Sequence, residues 1–201
     1  MALEQVQELF DFIEKSPSCF HVIDNVKKTL VEEGFEELFE NKKWQLQEGG
    51  KYFVTRNLSS IIAFKVPGKD FASFHIIASH SDSPTFKIKD NPEQQVKGKY
   101  VQLNTEKYGG MIFSTWFDRP LSVAGRALVK TDKGVETKLV NIDRDLVVIP
   151  NLAIHLDRTA NDGMKYNPQV NLLPLYGDAA SKDTFDKLVA EACRSEERRV
   201  G

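Results

Sequence analysis

The apolar residues of this chain follow a helical period near its beginning and lose it from about Lys51, and that change of period constrains the fold more than any other feature. Leu3, Val6, Leu9, Phe10 and Ile13 recur at helical spacing, and Ser-Pro-Ser at 16–18 ends that segment and supplies a cap for the next. Phe20, Val22, Ile23, Val26 and Leu30 predict a second amphipathic helix closed by Gly34. From Lys51 the text turns β-branched and aromatic, and KYFVTRNLSSIIAFKV reads as a hairpin broken at Asn-Leu-Ser-Ser. Pro-Gly-Lys-Asp at 67–70 is a turn by composition, and FASFHIIAS, 71–79, reads as a short strand buried on both faces. His80 then sits at the C-terminal edge of a strand, where layered α/β sheets gather their ligands.

Beyond Pro92 the segments YVQLNTE, MIFSTWF, SVAGRALVKT, ETKLVNI and LVVIP are short, β-rich and punctuated by Gly, Asp, Asn or Pro. They predict a separate all-β module. KDTFDKLVAEAC, near the end, returns to helical spacing.

Composition excludes several partner classes. The 27 basic and 29 acidic residues leave a net charge of −2, so no whole-chain excess of positive charge exists to hold nucleic acid. No run of about twenty apolar residues suits a membrane, and the start MALEQVQELF lacks the basic residues and apolar core of a secretory signal. A cytoplasmic protein is expected. Cys19 and Cys193, far apart, form neither a disulfide framework nor a zinc pair, and reduced thiols are the simpler reading.

Four histidines carry the remaining chemistry. In ASHSDSPT, His80 and Asp82 lie two apart on an extended chain and point to one side. An imidazole ligates zinc and a neighbouring carboxylate can hold its second nitrogen, so the pair could seed a metal site; a serine-rich turn satisfying only its own backbone is the alternative. His155, in PNLAIHLDR, suits a substrate contact or a structural role. His75 alternates with apolar residues and reads as packing, and His21, in the first turn of a helix, as a capping or packing residue. KYGGMIFSTWFDRPLSVAGR, 107–126, is either a subunit interface or an ordinary hairpin with an exposed Asp-Arg pair. Phosphate-loop spacings and the G-x-S-x-G elbow are absent.

The blocks SPSCFHVI (16–23), ASHSDSPTFKIK (78–89), YGGMIFSTWFDRPLSVAGR (108–126) and IPNLAIHLDR (149–158) together resemble, in order and wording, the aspartyl aminopeptidase family of dinuclear zinc exopeptidases. The resemblance runs from about residue 10 to about residue 192. It implies an α/β fold: the N-terminal part of a zinc-peptidase α/β sandwich, residues 1–91, followed by a β-rich inserted dimerisation domain, 92–192. It makes His80 a zinc ligand, Asp82 the carboxylate serving the catalytic site, and His155 a substrate contact. The implied enzyme hydrolyses the N-terminal residue, often Asp or Glu, from peptides with a zinc-activated water, and assembles as a homo-oligomer.

The resemblance also implies a bridging aspartate, paired glutamates, a further carboxylate ligand and a last histidine, and the chain carries none of these blocks. Of two zinc ions, one ligand is present. CRSEERRVG, 193–201, does not resemble the family's continuation and is expected to be a foreign or disordered tail on a truncated chain, which alone is expected to be inactive. A non-catalytic assembly or peptide-binding fragment is the competing reading.

Overall fold

The computed structural model of the chain describes residues 2–68 and 70–199, with side chains described for 3–68 and 70–194. These residues fall into two compact units, one up to Ser83 and one from Pro84.

The first unit opens with helices α1 (Ala2–Glu14) and α2 (Cys19–Glu32), as the spacing predicts. Ser18 caps α2: its hydroxyl accepts from the His21 amide at 3.5 Å and meets His21 Nδ1 at 2.7 Å. Gly34, at φ 78°, ends the helix in the left-handed region that glycine enters without penalty. Strand β1 (Glu36–Leu38) then pairs in parallel with β2 (Lys51–Arg56), which pairs antiparallel with β3 (Ser60–Lys65). The β2–β3 turn is where Asn-Leu-Ser-Ser places it, with Asn57 and Leu58 at φ 54° and 53°. Such a left-handed pair matches the twist of a tight hairpin. Ile23, Leu38, Tyr52 and Phe53 make the buried core of this unit. Burying Phe53 entirely contributes about 2–3 kcal/mol.

Residues 71–84 depart from expectation. FASFHIIAS forms no strand and pairs with none among the described residues, and Phe71, Phe74, Ile76 and Ile77 are exposed, Ile77 completely. His75, read as packing, is exposed as well. An apolar run reads as a buried strand only if neighbouring strands exist to cover it, and composition cannot supply that neighbour.

The second unit is β-rich. Strands β4 (Thr85–Val96), β5 (Tyr100–Tyr108), β6 (Pro120–Leu121), β9 (Val147–Val148) and β10 (Leu175–Asp178) form one sheet in the order β4-β5-β10-β9-β6. β7 (Ala124–Thr131) and β8 (Gly134–Asn141) form a separate hairpin. A short helix α3 (Pro168–Asn171) precedes β10, and α4 (Phe185–Arg199) follows it. MIFSTWF, expected as a strand, instead makes a 3₁₀ turn at Phe113–Trp116. Thr115 Oγ1 donates to the Ile112 carbonyl at 2.8 Å there, a local bond that competes with strand pairing.

The core of this unit lies where α4 meets the sheets. Phe185 packs with Leu103 and Val147, and Cys193 with Val140 and Ile142. Helix α4 thus continues through Cys193 to Arg199; the side chains from 195 onward and residues 200 and 201, most of the expected tail, lie outside the described residues. The start of α4 is fixed from a distant strand. Between Ile88↔Thr105 and Glu93↔Leu103 the ladder of β4 and β5 is interrupted by a bulge, and the Glu93 carboxylate accepts from the backbone N–H groups of Asp183 (2.6 Å), Thr184 (3.0 Å) and Phe185 (2.7 Å). An anion at that end also complements the helix dipole.

Candidate functional site

His80 and Asp82 do come together. An irregular segment carries both residues, and Ser81 between them ties it to the hairpin by donating its hydroxyl to the Ser59 carbonyl at 3.1 Å. His80 Nδ1 lies 2.8 Å from the Asp82 carbonyl oxygen and 3.3 Å from Asp82 Oδ1. A carbonyl oxygen can only accept, so Nδ1 carries the hydrogen and the lone pair of the neutral ring falls on Nε2. That is the arrangement in which a metal-ligating histidine is held by its second nitrogen. The His80 side chain is 83% exposed, so little of the protein shields the ring. Among the described residues, no three His, Cys, Asp or Glu side chains lie together as a metal site.

His155 belongs to the second unit. It sits in a turn closed by the Leu156 amide donating to the Ala153 carbonyl at 2.8 Å, and it is exposed. Past the turn, Asp157 Oδ1 accepts from Thr159 N (3.1 Å) and Thr159 Oγ1 (2.8 Å), so the downstream chain is also fixed. Before the turn, Asp118 Oδ1 accepts from Asn151 N at 2.9 Å.

That last contact joins two blocks the sequence keeps apart. Asp118 reads as half of an exposed ion pair, yet its neighbour Arg119 donates from Nη1 to the Thr115 carbonyl at 3.3 Å, and the Asp118 carboxylate turns to the histidine loop. The legible signal was an Asp before Arg-Pro, a residue type that tolerates the left-handed backbone adopted here, φ 55°. Glu93, a carboxylate in mid-strand, gave no such signal.

Comparison with known proteins identifies the family. Residues 12–196 match the family described as Aminopeptidase I zinc metalloprotease (M18). A probable M18 family aminopeptidase 2 of Clostridium acetobutylicum is 54% identical over 190 residues, covering 92% of this chain and 43% of the relative. An aspartyl aminopeptidase of Dictyostelium discoideum is 44% identical over 189 residues, covering 92% and 39%. The solved structure described as the Ape4 and Nbr1 complex superposes with a TM-score of 0.86 at 39% identity, covering 94% of this chain and 39% of that one. The chain therefore spans about two fifths of the length of the curated relatives it matches. With residues 12–196 matching the family and the relatives and the fold in agreement over nearly the whole chain, this protein belongs to the M18 family of zinc metalloproteases.

Proposed function

We propose that this chain supplies part of the active site of a zinc aminopeptidase that removes an N-terminal residue, often Asp or Glu, from peptides. His80 serves as a zinc ligand, Asp82 as the carboxylate beside it, and His155 as a substrate contact. The observation that carries the reading is the His80 ring, whose Nδ1 is engaged at 2.8 Å by the backbone of Asp82 so that Nε2 is the nitrogen left to a metal. The preference for acidic residues is supported by the name of the Dictyostelium relative.

The residues present do not make a zinc site by themselves. One imidazole provides neither the coordination number nor the affinity of a zinc centre, and the described residues offer no cluster to complete it. No chemical step is assigned to this chain on its own. The complete family site would hold two zinc ions. The β-rich residues, 92–192 in the sequence reading, would serve dimerisation; exposed Leu128 (69%) and Val135 (70%) on the β7–β8 hairpin support an associating surface and a homo-oligomer. The location in this reading is cytoplasmic; among the described residues no helix is long and apolar enough to cross a membrane.

The 201-residue chain alone is expected to bind zinc weakly and to leave an aspartyl anilide intact. Calorimetric zinc titration and an anilide release assay check this. Turnover with added zinc at about 1 per second or faster, the range of working enzymes, would refute the account.

A further inference from the structure

The segment 113–118 holds both ends of the loop that carries His155. At the near end, Phe117 bridges Ile149, Asp118 N donates to the Ile149 carbonyl at 3.0 Å, and Asp118 Oδ1 accepts from Asn151 N at 2.9 Å. The hold passes along the loop: Asn151 Oδ1 accepts from Leu152 N at 2.9 Å, and the turn presenting His155 begins at the next residue. At the far end, Tyr166 packs against Phe117 with ring centroids 4.9 Å apart and against Phe113 at 6.4 Å. Two residues after Asp118, from Pro120, β6 pairs with β9, so the segment is itself fastened to the sheet.

We propose that Asp118 is a positioning residue for His155, fixing the loop through Asn151 so that the imidazole is presented in one place before substrate arrives. A loop pinned at both ends loses less conformational freedom on binding, which favours affinity. The left-handed backbone at Asp118 is part of the device, because it lets one residue direct its amide to Ile149 and its carboxylate to Asn151.

The inference deepens the reading of His155 as a substrate contact and rests on it for its purpose, but the ring's placement is measured without substrate. The test uses Asp118→Gly, which keeps the left-handed backbone and removes the acceptor, beside Asp118→Asn, which keeps an acceptor oxygen. By NMR, D118G is expected to speed Asn151 amide exchange about three- to tenfold, the worth of one hydrogen bond, and to move the His155 ring protons toward unstructured-peptide positions. D118N is expected to restore most of both. A folded D118G, with the Leu103, Ile149 and Leu172 signals in place and His155 unmoved, overturns the proposal. If D118G does not fold, the unsubstituted protein decides: an Asn151 amide exchanging as fast as an unbonded one overturns it, and a protected one supports it. Peptide binding by His155→Ala is a separate measurement, and its outcome bears on the substrate reading alone.

Discussion

Removing the Glu93 carboxylate is expected to loosen α4 from the β-rich unit. In Glu93→Ala the N–H groups of Asp183, Thr184 and Phe185 lose their acceptor at once. A hydrogen bond to a charged group contributes about 1.5–3 kcal/mol, but Asp183 is exposed and its amide can turn to water. Counting the two remaining groups near the lower figure gives about 3 kcal/mol, somewhat above the usual cost of losing a helix cap. For a chain of this length that corresponds to a fall in melting temperature of roughly 6–12 °C. The loss falls on a helix whose first residue, Phe185, is buried against Leu103 and Val147, so exchange of the Val189 amide should rise with it. Glu93→Gln keeps one acceptor oxygen and should lie between parent and E93A. Thermal unfolding followed by circular dichroism is the assay. An E93A protein melting within about 2 °C of the parent, or an E93Q protein no better than E93A, would show that the carboxylate does not hold the helix.

Two other perturbations follow from single side chains. Thr105 is 2% exposed and its hydroxyl has no hydrogen-bond partner among the described residues, so Thr105→Val, of nearly the same shape, should raise stability by about 1 kcal/mol in denaturant unfolding; a loss would mean that the hydroxyl is satisfied. The Arg56 hydrogen bond holds the Glu40 carboxyl below its ordinary range, so what the pair contributes is present above the unfolded carboxyl's titration and is lost as pH falls through the lowered value in the folded chain. Arg56→Gln should move Glu40 back upward in a carbon-13 titration, and an unchanged midpoint would contradict the pairing.

Elements whose cause is local were legible in the sequence. Both N-terminal helices, the turn at Asn57 and Leu58, and the helical run of α4 follow from spacing, caps and turn chemistry within a few residues. The His80–Asp82 approach is of the same kind, since the two residues lie only two positions apart. What escaped depends on distant partners. Residues 71–79 have the composition of a buried strand, but burial is conferred by a neighbour. β1, three residues with two glutamates, becomes a strand because β2 lies beside it in parallel. Glu93 reaches across some ninety positions of sequence and Asp118 across thirty-three, and no local pattern announces either contact.

The bulge in β4 sets a rule for insertions and deletions. Ile88 and Glu93 are five positions apart, an odd number that would put them on opposite faces of a regular strand, yet both pair on the face of Thr105 and Leu103. Lys89 to Pro92 therefore act as a phase shifter. Loss of any one of them changes the alternation between the two anchors, so that either the strand slips against β5 or the carboxylate swings away from the helix it serves. Sequence drift in those four positions is constrained in number more than in kind.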